Sequence, residues 1–245
     1  MSETTHRLSR EGRPDLAARV VEGAGPTVLF LPGYASDMAG SKAEALAAWA
    51  LRSGRRLVRF DYAGCGASDG RFADQTLLDW RDDALAVVAE HASAGPLVLV
   101  GSSMGGWLML HVALALGERV AGLVGVAAAP DFTDWGFDAG HVAALQRDGE
   151  LREESPYGPE PTLTTRALWE SGERLRLLDT EIAIGAPVRL LHGDADPDVP
   201  LDIAFRLARA VRSADVVTSV IKGGDHRLSS ESDLARLIAT VESLA

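Results

Sequence analysis

Short apolar runs rich in Val, Leu and Ile recur at 27–31, 57–60, 97–100, 120–126, 187–191 and 216–221. Runs of this length, bounded by Gly, Pro and Asp, read as buried strands. Between them, 41–53, 74–92 and 103–116 place Leu, Ala, Val and Trp on one side at helical spacing. The alternation predicts an α/β fold: a mainly parallel sheet flanked by helices on both faces. Each strand exits into a loop at one edge, where open sheets of this kind hold their ligands.

The alternation breaks over 130–182, which has several Pro and Gly breakers, two or three short helical patterns and no clear strand. This segment is read as a small helical cap, inserted between catalytic-domain segments 1–129 and 183–245. It holds Trp135, Phe137, Tyr157 and Trp169. Of these, Trp135, Phe137 and Trp169 are candidates for contact with an apolar acyl group; the alternative is that such rings anchor the cap to the body. Residues 1–13 are polar and are read as a frayed terminus.

Composition narrows the function classes. The 245 residues are 47% hydrophobic, enough for one well-filled domain. The formal net charge of -11, from 35 acidic and 24 basic side chains with no basic cluster, argues against nucleic acid as a partner. With Cys65 as its single cysteine, the chain cannot form an intramolecular disulfide, and it has no Cys/His spacing suited to zinc. No apolar run approaches the roughly 20 residues that span a bilayer, and the opening residues lack an apolar leader. No stable membrane insertion is expected, and a cytoplasmic location is the default.

The chemistry centres on Gly101-Ser102-Ser103-Met104-Gly105, which joins a strand pattern to a helical one. This is the arrangement of a nucleophile elbow with Ser103 at its tip. A serine hydroxyl is a weak nucleophile, so it needs an exposed position, a general base and donors for the oxyanion. Downstream, 192–200 (HGDADPDVP) and then 223–227 (GGDHR) each follow a strand-like run. Ser, acid, His is the chain order of α/β-hydrolase triads, which makes His226 the base. Among Asp194, Asp196 and Asp198, Asp196 is chosen as the acid that would fix the imidazole tautomer, leaving the other two to shape the turn. The oxyanion donors are assigned to the backbone N–H of Met104 and of Tyr34, the latter on the loop after strand 27–31. No cofactor is expected.

Other tempting residues receive plainer readings. His91, His111 and His141 fall within helical patterns and are read as surface or packing residues. His192, at a strand end, is read as holding the acid loop by a hydrogen bond. Cys65, between two glycines, is read as a small buried hydrophobe. Gly64 to Gly70 lacks dinucleotide-binding spacing, with Asp69 where the third glycine would stand.

The blocks Pro32-Gly33-Tyr34 with Gly40-Ser41-Lys42, Phe60-Asp61-Tyr62 through Ser68-Asp69-Gly70, the stretch from Gly101 to His111, Arg189 to Gly193, and Asp225-His226-Arg227 carry a family resemblance. The chain resembles α/β-hydrolase superfamily serine hydrolases of the mitochondrial palmitoyl-protein thioesterase and acyl-glucuronide esterase type. The resemblance covers nearly all of the catalytic domain and is weakest in the cap. It implies a serine esterase or thioesterase acting on acyl esters or thioesters, including S-acylated protein; it is also the one pointer to a mitochondrial matrix location. A carboxylesterase for small-molecule or acyl-glucuronide esters would use the same residues. A non-catalytic ligand-binding protein of this fold is the alternative from another class.

Overall fold

The computed structural model describes residues 2–155, 158 and 161–245. Eight strands form one sheet: β1 (Glu3–Leu8), β2 (Leu16–Val21), β3 (Ala24–Leu31), β4 (Arg55–Phe60), β5 (Leu97–Ser102), β6 (Val120–Val126), β9 (Val188–Gly193) and β10 (Val216–Ile221), in spatial order β1-β2-β4-β3-β5-β6-β9-β10. From β4 to β10 all neighbours are parallel, and β2 joins antiparallel. This is the mainly parallel α/β sheet that the alternation predicts.

Strand periodicity sorts the core into two layers. Leu29, Leu97, Leu99 and Leu123 face one side, where α2 (Leu77–His91) and α3 (Met104–Leu116) bury Trp80, Trp107 and Leu108. Val28, Phe30, Val98, Val100 and Val124 face the other, under α1 (Ser41–Ser53) and α8 (Glu231–Glu242). Trp49 of α1 donates its indole N–H to Glu242 of α8 at 2.8 Å and locks that second layer. Between β9 and β10 runs α7 (Leu201–Ala210), which buries Leu207 in the first layer.

The chain proceeds from β3 outward to β4, then crosses back to β5 on the opposite side of β3. The carboxyl ends of β3 and β5 therefore lie at the switch point of the sheet, the general ligand site of such sheets.

Two regions differ from the sequence expectation. The amino-terminal residues are not frayed: β1 pairs along its length with β2. Its sequence ETTHRL is polar on both faces, as suits an edge strand. Glu3 receives two bonds of 2.7 Å from the buried Arg59 guanidinium, which fix the strand's start. Within 130–182, α4 (Phe132–Trp135), α5 (Ala139–Asp148) and α6 (Arg166–Glu173) are accompanied by an antiparallel ribbon of β7 (Glu150–Glu153) and β8 (Thr162–Thr165). The ribbon escapes a hydropathy reading because ELRE and TLTT carry one leucine each. Within this segment Asp131, 1% exposed, accepts the N–H groups of Leu177 and Leu178 and so ties the exit of β6 to 177–178.

Candidate active site

Ser103 sits between β5 and α3 at φ 52 and ψ -121, a conformation that costs a non-glycine residue about 1–3 kcal/mol. The surroundings impose it. The Ser103 N–H donates to the Val126 carbonyl at 2.9 Å, and its own carbonyl accepts from Gly106 and Ala129 at 2.8 and 3.1 Å. The turn packs tightly on the end of β3: a Cβ on Gly105 would lie 2.2 Å from the Leu31 carbonyl oxygen. With its backbone held, Ser103 is left partly exposed at the carboxyl edge of the sheet.

The loops after β9 and β10 are joined by backbone contact. A Cβ on Gly193 would lie 2.0 Å from the Gly224 carbonyl oxygen. The N–H groups of Asp194 and Ala195 donate to Ile221 and Gly224 at 3.0 and 3.1 Å, and the Asp194 carboxylate accepts from Gly223 at 2.5 Å. Asp194 thus shapes the junction, while Asp196 points into the site. One Asp196 oxygen accepts the N–H of Asp198 and Val199 at 2.9 and 3.0 Å, and the other lies 2.9 Å from His226 Nδ1. His226 Nε2 lies 3.0 Å from Ser103 Oγ. Asp198, exposed, contributes its backbone N–H to this arrangement.

Electrostatics follow from these contacts. Burial opposes ionisation of Asp196, but the His226 bond and the Val199 and Asp198 N–H groups outweigh it and hold the carboxyl below its ordinary value. An ionised acceptor at Nδ1 selects the tautomer with its proton there, which leaves the Nε2 lone pair facing the Ser103 hydroxyl. His192, 1% exposed, donates from Nε2 to the Val199 carbonyl at 2.9 Å and so braces the acid loop from behind.

The loop after β3 lies over Ser103, since a Cβ on Gly33 would be 3.4 Å from Ser103 Cβ. Met104, the first residue of α3, has no carbonyl within its own helix for its N–H. The Tyr34 ring is wedged against Phe72, Trp80 and Phe132, and its hydroxyl donates to the Leu163 carbonyl in β8.

The aromatic candidates of the insertion are engaged structurally. Trp135 donates to the Pro130 carbonyl at 2.8 Å and packs on Ala129, Val199 and Ile203. Trp169 donates to the Thr133 carbonyl at 3.0 Å. The Phe137 ring lies 6.5 Å from that of Phe132 and 6.1 Å from that of His141. Tyr157 lies outside the described residues. Phe132, absent from the sequence candidates, holds the more central position, with its ring 6.2 Å from Tyr34 and 5.3 Å from Trp107. The only sequence signal for it is its place directly after the strand-exit residues Pro130-Asp131.

Of the discounted residues, His111 bonds the Leu175 carbonyl at 2.9 Å, and burial lowers its pKa to about 4. His141 completes a helix cap with Asp138, and His91 packs on His6. Burial pushes the Cys65 thiol up to about 12, so it stays protonated. Asp196, Asp198 and His226 offer potential metal-ligating atoms within 4.8 Å of one another. Asp196 already accepts three hydrogen bonds, an arrangement that suits a proton relay better than a coordination shell.

The α/β hydrolase fold family matches residues 26–154. The human palmitoyl-protein thioesterase ABHD10, mitochondrial, is 38% identical over 242 residues, spanning 97% of this chain and 78% of the relative. The solved structure of mouse α/β hydrolase domain-containing protein 10 superposes with a TM-score of 0.91 at 36% identity, covering 98% of each chain. A solved protein from Agrobacterium vitis S4 gives 0.93 at 38% identity over 100% of this chain and 99% of its own. These relatives correct one expectation. The cytoplasmic default rested on the absence of an apolar leader, whereas the similar proteins from human, mouse and orangutan are named as mitochondrial. Among the described residues no helix is long and apolar enough to cross a membrane. The chain belongs to the α/β-hydrolase family and is a hydrolase, related along nearly its whole length to the palmitoyl-protein thioesterase ABHD10.

Proposed function

We propose that the chain cleaves acyl thioesters or esters by two-step acyl transfer through Ser103, His226 and Asp196, with a palmitoyl-protein thioesterase-like preference. The observation that carries this reading is the continuous hydrogen-bonded line from Asp196 through His226 to Ser103, with spacings of 2.9 and 3.0 Å. His226 takes the Ser103 proton as Oγ attacks the acyl carbon, and Asp196 stabilises the resulting imidazolium. The N–H groups of Met104 and Tyr34 receive the oxyanion. His226 then protonates the departing thiol or alcohol and activates the water that cleaves the acyl-enzyme. Segment 130–182 acts as the lid over the acyl group, and its aromatic side chains favour an apolar chain.

Hydrolysis of matched thioester and oxyester substrates sharing one acyl chain, at several lengths and with Ser103→Ala as control, tests this. A thioester preference that persists with long chains and disappears in the control is expected. An oxyester preference limited to short chains would replace the reading with a small-molecule carboxylesterase. No Ser103-dependent turnover would favour a ligand-binding protein.

A further inference from the structure

Tyr34 joins two parts of the molecule that its backbone alone would leave separate. Its N–H belongs to the loop after β3, while its hydroxyl donates to the Leu163 carbonyl in the insertion's ribbon. The ring stands edge-on to Phe72 and Trp80 of the body, with centroids at 5.2 and 5.8 Å, and to Phe132 of the insertion at 6.2 Å. Burial pushes the phenol up, so it remains a donor across the working pH range.

The rest of this loop is held by other means. At its far end both backbone groups of Met38 are gripped by buried charges. Its N–H donates to Asp61 at 2.7 Å, and its carbonyl accepts from Arg59 at 2.7 Å. At its near end Gly33 lies against Ser103. The apex between them is a turn in which the Ser36 N–H donates to the Gly33 carbonyl at 3.2 Å and Ala35 is forced to φ 50. A strained alanine in a four-residue turn relaxes unless its neighbours hold it. At this apex the side-chain tie is the Tyr34 phenol.

We propose that Tyr34 is a positioning residue that couples the seating of the insertion to the oxyanion donors: the hydroxyl bond to Leu163 holds the Tyr34 backbone so that its N–H converges with that of Met104. The inference rests on the acyl-transfer reading above and deepens it. The insertion then acts on the rate of the chemical step as well as on which acyl chain binds. A donor displaced by a fraction of an ångström loses transition-state stabilisation while ground-state binding is kept.

Tyr34→Phe tests the coupling, because it retains the ring and deletes one hydroxyl. Kinetics are measured on an acetyl thioester, alongside the affinity of a small boronic acid that forms a tetrahedral adduct with Ser103. The expected result is a kcat lower by about tenfold or more, a KM within about twofold, and boronate binding weakened by a matching factor. Should that variant not fold, Phe132→Leu, which leaves the hydroxyl but loosens the insertion side of its seat, is expected to lower kcat and boronate affinity together by a smaller factor. Unchanged kcat and boronate affinity, or a loss confined to KM, overturns the coupling while leaving acyl transfer standing. Absence of Ser103-dependent turnover in the unmodified chain overturns acyl transfer, and the coupling with it.

Discussion

At the carboxyl edge of the sheet, the turns that carry Ser103, Asp196 and His226 are set by backbone against backbone: Gly105 against Leu31, Gly193 against Gly224, and Ser103 bonded at both its N–H and its carbonyl. Segment 130–182 is seated on the body mainly through side chains: the Tyr34 hydroxyl donates to the Leu163 carbonyl, the Trp107 indole to the Leu175 carbonyl, and the Leu77 N–H to the Ser171 hydroxyl, while Trp135, Trp169 and Asp131 bond within the segment. Close backbone contact leaves no rotamer to relax and preserves angles, as proton transfer and oxyanion binding demand. Side-chain ties allow an element to be exchanged or shifted at a modest energetic penalty, as the proposed substrate-selecting role of this segment requires. The contrast predicts that changes at the edge abolish turnover or folding, whereas changes within 130–182 away from the seat of Tyr34 alter stability slightly.

The largest expected effect is that of Asp196→Asn. The amide can donate where the carboxylate accepted, which favours the wrong His226 tautomer, and kcat is expected to fall by about 10⁴-fold with folding intact. Pre-steady-state kinetics with a chromogenic ester measure it, and a loss below tenfold would mean that Asp196 does not orient the base. Gly105→Ala comes next. A Cβ placed 2.2 Å from the Leu31 carbonyl oxygen forces the elbow off β3, with an expected destabilisation of about 3 kcal/mol in urea titration. An unshifted midpoint would show that this edge yields as readily as the insertion.

Trp169→Phe serves as the counterpart in the insertion. It deletes the 3.0 Å bond to Thr133 and keeps most of the ring, so about 1 kcal/mol of stability is expected to be lost, with acetyl-ester turnover nearly unchanged. A hundredfold fall in kcat would erase the distinction between the two regions. The smallest effect concerns Lys42, which tethers the base loop through a 2.5 Å bond to the Arg227 carbonyl. Burial, then the nearby Arg227 charge, lowers its pKa to about 8 from the ordinary 10.5. Between these values the unfolded chain binds more protons than the folded one, so stability rises with pH across that window. Lys42→Met is expected to flatten the rise, as read from thermal midpoints at pH 7.5 to 10.

How much of this could be read beforehand follows the same physical division. Strands β3, β5, β6 and β9 announce themselves because burial on both faces calls for apolar runs, β4 through its buried Leu57 and Val58, and the half-exposed β10 because VVTSVI is rich in β-branched residues. The β1 strand and the β7–β8 ribbon do not, because an edge strand or surface ribbon satisfies its backbone with few apolar side chains. Among the site candidates, Ser103, Asp196 and His226 stand out because the turns that place them need glycines at fixed offsets. The Met38 grip by Arg59 and Asp61, the Asp131 tie and the Tyr34 hydroxyl bond join residues far apart in the chain, and no local pattern encodes such pairs.

The central claim is a covalent one: Ser103 carries the acyl group between the two half-reactions. Rapid-quench intact-mass spectrometry during turnover of a thioester tests it most directly. A transient mass increase equal to the acyl group less one hydrogen is expected, mapped to the peptide containing Ser103 and lost in Ser103→Ala. Turnover that persists in Ser103→Ala, or an acyl group trapped on another residue, would contradict it.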